Sequence, residues 1–179
     1  MRKFTPRRGL MIAVAAIAAL VGSMAFSTAP ASADDQTQPA YALPLPQDAV
    51  DRAEWGSTHH SYPAVDLPVP TGTESYASVA GDAVVFSDDG CGNGVQIEGV
   101  DGATYVYCHF DSHSISSGPV NAGDLIGLTG NTGNSTGPHL HYQIRYADEL
   151  RCPQEQALAI FDGDQPPAPG DLATSGCTH

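Results

Sequence analysis

The sequence predicts an all-β protein of antiparallel β-sheets with one short helix near its C-terminus. After Trp55 the apolar residues come in short runs separated by turn residues, as in "SYASVAGDAVVF", "NGVQIEGVDGATYVYCHF" and "VNAGDLIGLTG". This spacing is typical of antiparallel strands. Only "CPQEQALAIF" has a helical pattern, with Pro153 in its first turn, Glu155 complementing the helix dipole and Gly163 after its end. We therefore predict one domain over residues 55–179.

The first 33 residues have the pattern of a secretory signal peptide. Four basic residues precede an apolar run over residues 10–26, and small residues ending in "ASA" come directly before Asp34. The apolar run is shorter than the ~20 residues that a membrane span needs. We expect cleavage after Ala33, secretion out of the cell, and no membrane attachment after cleavage.

Cleavage would leave a strongly acidic chain. The full sequence has 7 Lys+Arg and 20 Asp+Glu, and residues 1–33 contain four of the basic residues and none of the acidic ones, so residues 34–179 carry a formal charge of −17. This charge argues against binding to nucleic acid, which requires neutralisation of phosphates. Residues 34–54 are polar and contain several prolines, which predicts an extended leader before a single domain. We expect the protein to be monomeric.

The four cysteines of an exported chain are expected to form two disulfides, for which three pairings exist. Cys91 and Cys108 flank a predicted hairpin, whereas Cys152 and Cys177 flank the predicted helix and the C-terminal tail. We predict these two local pairs. Each closes a loop of about 20 residues, which stabilises a fold by roughly 3 kcal/mol in the chain-entropy description.

The hairpin is predicted to turn at Asp101-Gly102, a strong two-residue turn signal. That turn would place Val95 opposite Cys108 and Ile97 opposite Val106. Side chains alternate across a strand, so one face would be apolar and the other would carry Gln96, Glu98, Tyr105, Tyr107 and His109. His109 is thus predicted to point away from the core. The two tyrosines either line a substrate groove or are ordinary exposed strand residues.

The segment "HLHYQIRY" alternates in the same way. Its apolar residues form a predicted buried side, and its open side carries His139, His141, Gln143 and Arg145. Two imidazoles about 6–7 Å apart along a strand can point at one small volume. The glycines that precede them allow the backbone to approach a ligand closely. Arg145 either holds a substrate carboxylate or is an ordinary exposed charge.

A pair of histidines is not yet a zinc site, because catalytic zinc sites use three protein ligands and keep one open position. The upstream segment "THHSYPAVD" supplies two histidines and Asp66. With a bend at Pro63, His60 and Asp66 can converge on one ion together with His141. His113, in "FDSHSISS", is expected to lie in a solvated polar loop.

Several motifs together resemble the lysostaphin-type zinc endopeptidases, the duplicated hybrid motif metallopeptidases that cut peptide bonds in bacterial peptidoglycan. They are "HHSYPAVDLPVPTGT", "SVAGDAVVF", "GNGVQI", "YVYCHF" and "VNAGDLIGLTGNTGNSTGPHLHYQIR". The resemblance runs from about His59 to Arg145. It implies an antiparallel β fold of the lysostaphin type and a Zn²⁺ ion held by His60, Asp66 and His141. It also implies that His109 and His139 are the catalytic histidines.

One departure from the family pattern affects the metal ligands. The family's first motif places its histidine four positions before the aspartate, where this chain has Tyr62. His60 lies six positions before Asp66, as if two residues were inserted, and His59 remains a competing ligand.

The resemblance implies a secreted endopeptidase that hydrolyses peptidoglycan crosslinks with a metal-activated water. No glutamate is marked as general base, so His109 or His139 would take the proton and the other would stabilise the oxyanion. The alternative is a catalytically inert protein of the same fold that binds cell wall or activates another hydrolase. The sequence does not identify which peptide bond is cut.

Overall fold

The structure is a computed structural model that describes residues 40–179 of the chain. The predicted signal peptide and the first six residues of the predicted leader lie outside the described residues. Within residues 40–179, none of the helices has the length and apolar character that a membrane crossing requires.

The described residues form one antiparallel sheet of nine strands, which confirms the predicted fold class. The strands are β1 (Val65–Leu67), β2 (Glu74–Tyr76), β3 (Gly81–Asp88), β4 (Gly92–Gly99), β5 (Thr104–His113), β6 (Gly118–Val120), β7 (Leu125–Thr129), β8 (Leu140–Tyr146) and β9 (Glu149–Arg151). The main path runs β1-β8-β5-β4-β3-β6, while β7 pairs with β2 and β5, and β9 pairs with β8.

The predicted helix forms as α1 (Gln154–Asp162). Pro153 directly precedes it, and Gly163 ends it with a left-handed φ of 79°, a conformation that glycine adopts without steric cost. Two short 3₁₀ turns, Arg52–Gly56 and Pro169–Asp171, were not predicted. They are too short to leave a periodic pattern in the sequence.

Both predicted disulfides are present, Cys91–Cys108 and Cys152–Cys177. The first joins the residue before β4 to the middle of β5. The second joins Cys152, two residues before α1, to the C-terminal tail. No free cysteine remains among the described residues.

Strand β5 is central because it changes partner along its length. Its first half, residues 104–108, pairs with β8, and its second half, residues 110–113, pairs with β7. A β-bulge lies between the halves, where Cys108 and His109 together oppose Gly94 of β4. The loop that connects β7 to β8 therefore lies beside the bulge.

The predicted register of the β4–β5 hairpin is wrong by one residue. Val95 pairs with Tyr107 and Ile97 with Tyr105, because the turn has three residues between Gly99 and Ala103 instead of two. A one-residue slip moves every side chain to the opposite face. Tyr105 and Tyr107 are consequently fully buried and do not line a groove.

The buried tyrosines satisfy their hydroxyl groups inside the core. The Tyr105 hydroxyl donates to Asp101 Oδ2 (2.6 Å), and the Tyr107 hydroxyl accepts from the Ser78 N–H (2.8 Å). These partners allow polar aromatic residues to occupy core positions. The sequence pattern alone does not distinguish them from exposed strand tyrosines.

The part of the predicted leader that the structure describes is extended and packs on the sheet. Tyr41 forms a bridge with Val79, and the Ala42 N–H donates to the Ser78 carbonyl (2.9 Å). Leu45 is 1% exposed and belongs to the same hydrophobic core as Trp55. The residues before position 55 therefore contribute to the core of the domain.

Candidate metal centre

Asp66 and His141 lie side by side because β1 and β8 are paired. Asp66 is the register partner of His141, and Asp66 Oδ1 lies 2.6 Å from His141 Nδ1. His141 is buried, whereas the Asp66 side chain is 44% exposed toward an open cavity. The expectation that these two residues converge from distant segments agrees with this geometry.

His59, not His60, completes this group. His59 Nε2 lies 3.7 Å from Asp66 Oδ2, and the His59 ring lies 5.1 Å from the His141 ring. His60 is exposed, and its ring lies 5.6 Å from that of His179. The structure thus places His59, and not the predicted His60, beside Asp66.

The reason for this correction is a backbone pairing that the sequence did not reveal. His59 forms a parallel bridge with Thr178 of the tail: its N–H donates to the Cys177 carbonyl (3.0 Å), and its carbonyl accepts from the His179 N–H (3.2 Å). Neighbouring side chains of an extended segment point to opposite sides. His59 faces Asp66, so His60 faces outward.

His109 reaches the site because of the bulge in β5. Its φ is 69°, a left-handed value that is rare for a residue other than glycine. The His109 side chain points toward the cavity, and the next residue, Phe110, is fully buried in the core. A regular strand would not turn His109 and the buried Tyr107 to different faces, since they are two residues apart.

His139 reaches the site from the glycine-rich loop before β8. Its Nε2 lies 3.5 Å from Asp66 Oδ1, and its ring lies 4.6 Å from the His109 ring. Gly133 lets this loop pass close to β4: its φ is 71°, and a Cβ there would lie 2.2 Å from the Gly92 nitrogen. Glycine is therefore required at this crossing.

Both of these histidines bond a backbone carbonyl through Nδ1. His109 Nδ1 lies 2.8 Å from the Thr132 carbonyl oxygen, and His139 Nδ1 lies 2.8 Å from the Gly137 carbonyl oxygen. A carbonyl only accepts, so each Nδ1 carries the proton and donates it. In the neutral rings each Nε2 then has a free lone pair, as a general base requires.

Burial keeps two of these imidazoles neutral. Desolvation lowers the pKa of His59 and of His109 below the ordinary value of 6.5. Burial alone would raise the pKa of Asp66, but its hydrogen bond to His141 and the nearby histidines outweigh this effect and lower it. The site therefore combines an ionised carboxylate with two histidines, His59 and His109, that are neutral near pH 7.

The donor set fits a zinc ion. One ligand atom each from His59, Asp66 and His141 lie within 4.8 Å of one another, and His109 and His139 form a second such group with His141. Two imidazoles and one carboxylate, facing an open cavity, are a ligand set that catalytic zinc sites use. His141 Nε2 is also buried without a hydrogen-bond partner among the described residues.

The cavity above this centre has a volume of ≈ 690 Å³ and extends along the open face of the sheet. Beyond the histidines it is lined by Gln143, Arg145, Gln96 and Val106. Tyr62 also lines the cavity, and its ring lies 4.4 Å from that of His59. It was not predicted as a site residue. Its place beside the first ligand motif was the available signal.

The prediction that His113 lies in a solvated loop is wrong. His113 is the last residue of β5, is partly buried, and has Nε2 2.9 Å from the Gly94 carbonyl oxygen. Gly94 is the residue that opposes the bulge. His113 therefore supports the backbone beside His109 and does not line the cavity.

Comparison with known proteins agrees with this geometry. Residues 60–153, more than half of the chain, match the model of peptidase family M23. The chain belongs to peptidase family M23. The family resemblance drawn from the sequence motifs is thereby confirmed, and a peptidase family accounts for histidines gathered around one carboxylate.

Two curated relatives illustrate the similarity. The DD-carboxypeptidase/endopeptidase Mpg of Neisseria meningitidis is 39% identical over 103 residues, which are 56% of this chain and 24% of that protein. The peptidoglycan DD-endopeptidase ShyA of Vibrio cholerae is 42% identical over 85 residues, 44% of this chain and 19% of that protein. This chain thus spans about a quarter or less of the length of these curated relatives.

The structure of a zinc containing peptidase from Vibrio cholerae superimposes with a TM-score of 0.50 at 25% identity, and the match covers 62% of this chain and 39% of that one. The likeness extends from the sequence motifs to the arrangement of the strands.

Proposed function

We propose that this protein is a secreted, zinc-dependent endopeptidase that hydrolyses peptide crosslinks of bacterial peptidoglycan. The observation that carries the proposal is the group formed by His59, Asp66 and His141, with the Nε2 atoms of two further histidines beside it. Family membership and the relative that is named a peptidoglycan DD-endopeptidase support the substrate class.

We assign the zinc ligands to His59, Asp66 and His141. A bound zinc ion would polarise the scissile carbonyl and make a water molecule acidic enough to attack near neutral pH. Asp66 supplies the negative charge of the set. His59 and His141 supply nitrogen atoms, and imidazole binds metal through a deprotonated ring nitrogen.

We assign the proton transfers to His109 and His139. With Nδ1 fixed as a donor to a carbonyl, each ring presents Nε2 to the cavity. One Nε2 accepts a proton from the attacking water and passes it to the leaving amine. The other ring takes up a proton from solvent at Nε2 and then donates a hydrogen bond to the oxygen that becomes negative in the transition state.

Digestion of purified peptidoglycan sacculi tests the activity. We expect sacculi of at least one crosslink chemistry to release fragments in which a crosslinking peptide bond is broken, as identified by mass spectrometry. Loss of His109, one of the two histidines assigned to the proton transfers, should lower the rate by about 10²–10⁴-fold in His109→Ala. If the zinc-loaded protein released no fragments from any wall type, the catalytically inert wall binder would replace this proposal.

Metal content tests the ligand assignment with a matched pair of variants. We expect about one zinc per chain in the wild type, loss of zinc in His59→Ala, and retention in His60→Ala, because only the former ring lies beside Asp66. Elemental analysis after dialysis measures this difference. Zinc loss in His60→Ala with retention in His59→Ala would reverse the assignment.

A further inference from the structure

Cations are scarce in the described part of this chain. Residues 40–179 contain three arginines and no lysine. Arg52 is paired with Asp162 through two contacts of 2.8 and 2.5 Å. Arg151 is paired with Glu149 (3.3 Å) and also donates to the Leu172 carbonyl (3.3 Å). Two of the three cations are thus neutralised within the fold.

Arg145 is the exception among the described residues. It is exposed, and residues 40–179 offer it no acidic partner within 4.0 Å and no hydrogen bond to its guanidinium. It also lines the cavity of the metal centre, where it is the only Lys or Arg among the lining residues. An unpaired guanidinium therefore faces the volume that a substrate would occupy.

The sheet fixes the position of Arg145 relative to the metal centre. It lies on the same strand and the same face as His141, with Gln143 between them, so the two Cα atoms are about 13 Å apart. An extended peptide advances about 3.3–3.6 Å per residue. A peptide lying along β8 with its scissile bond at the zinc ligands would pass Arg145 within about four residues of that bond.

The acidic residue that the register places in line with Arg145 across β5 does not neutralise it. Thr104 is the register partner of Arg145 on β5 and also pairs with Glu98 on β4. The Glu98 carboxylate accepts hydrogen bonds from the Thr104 hydroxyl (3.0 Å) and from Gln96 Nε2 (2.8 Å). Its two oxygens are thus engaged two strands away from the arginine.

We infer that Arg145 binds a free carboxylate of the peptide substrate and makes the enzyme selective for carboxylate-bearing crosslinks over those in which this group is amidated. A guanidinium is a planar fork that matches a carboxylate with two parallel hydrogen bonds. A chain with so large an excess of acidic residues repels anions elsewhere on its surface, although salt limits that repulsion to about 8 Å. This inference rests on the proposed function and deepens it.

Binding of two synthetic crosslinked stem peptides tests this inference. The peptides are identical except that the free α-carboxylates of one are carboxamides in the other. Calorimetry on the zinc-loaded full chain carrying His109→Ala, which prevents turnover, should show tighter binding of the carboxylate peptide. Adding Arg145→Gln should weaken binding of that peptide by about tenfold to hundredfold, to the level of the carboxamide peptide. Arg145→Lys should restore part of the lost affinity, because lysine keeps the positive charge but cannot form the two parallel hydrogen bonds.

The matched control is Arg52→Gln, which removes the same charge outside the cavity and should leave both affinities unchanged. Turnover by otherwise wild-type enzyme adds a second readout: Arg145→Gln should raise KM for the carboxylate peptide with little change in kcat, because the contact is made before and during the reaction. Equal affinity of the Arg145-containing protein for both peptides, an equal loss in Arg52→Gln, or no binding of either peptide would overturn the inference.

These results separate the two proposals. If sacculi are cleaved but Arg145→Gln has no selective effect, the carboxylate site is wrong and the peptidase assignment stands. If sacculi are not cleaved but the carboxylate peptide binds through Arg145, the enzyme assignment fails and the carboxylate site stands.

Discussion

The position of the His109 side chain depends on one unusual backbone conformation. A left-handed φ at a histidine costs energy, and such strain persists only where surrounding structure holds it. Thr132 provides much of that support: its carbonyl accepts from His109 Nδ1, and its hydroxyl donates to the Phe110 carbonyl (2.8 Å). The glycine-rich loop therefore positions His109 as well as carrying His139.

The pKa of His109 leads to a prediction about pH. Because burial lowers this pKa, the neutral form that can accept a proton predominates at pH 7, and activity should fall only when the pH drops through a value below 6.5. A bound cation would lower the pKa further. Initial rates of crosslink hydrolysis between pH 5 and 8 measure this acid limb, with zinc content checked at each pH. An acid limb centred above 6.5 at constant zinc content would show that His139, and not His109, acts as the base.

At the scale of elements, the candidate metal site forms where three pairings meet. The β1–β8 pair supplies Asp66 and His141, and the bulge of β5 supplies His109. The tail supplies no ligand but holds the backbone of His59 through the bridge at Thr178. The Cys152–Cys177 disulfide fixes that tail beside α1.

Removal of this disulfide should therefore weaken zinc binding. In the double variant Cys152→Ser and Cys177→Ser, the tail is held only by noncovalent contacts, so the orientation of His59 is less well fixed. We expect a loss in zinc affinity of about tenfold to hundredfold, as found for groups that orient metal ligands. Competition with a chromophoric chelator measures it, and circular dichroism checks that the sheet is retained. An unchanged zinc affinity in a folded variant would show that the tail does not position His59.

At the scale of the whole molecule, the core extends beyond the region that carries the family motifs. Leu45 and Trp55 pack into it from residues before the match, and Leu172 packs into it from the tail. Both flanking segments thus cover the sheet on which the site is built. A fragment limited to residues 60–153 would lose these core residues.

The contribution of the segment before Trp55 can be measured with Leu45→Ala. This substitution removes a fully buried side chain, and we expect it to lower the free energy of unfolding by about 2–5 kcal/mol. Leu125→Ala is the matched control: Leu125 is 36% exposed, so this substitution should lower the free energy of unfolding by less. Urea denaturation followed by circular dichroism provides both values. Equal, small effects in the two variants would mean that residues before position 55 do not stabilise the domain.

Sequence reasoning was most successful where the pattern is local. The two disulfides, the helix with Gly163 at its end, and the alternation that puts His139 and His141 on one face all follow from residues close together in the chain. It failed at the hairpin, because a three-residue turn and a two-residue turn at Asp101-Gly102 differ by one register position. His109 was correctly expected to leave the core, but the structural reason is the bulge and not the alternation assumed.

The sequence by itself determined the fold class, the family and the kind of donors that gather at the site, because apolar periodicity and motif spacing are properties of neighbouring residues. Only the tertiary structure decided that His59 and not His60 faces Asp66, that the two hairpin tyrosines are buried, and that Arg145 is left without an acidic partner among the described residues. Each of these depends on which strand or tail segment lies alongside, and such pairings between residues far apart in the chain are set by packing of the whole sheet.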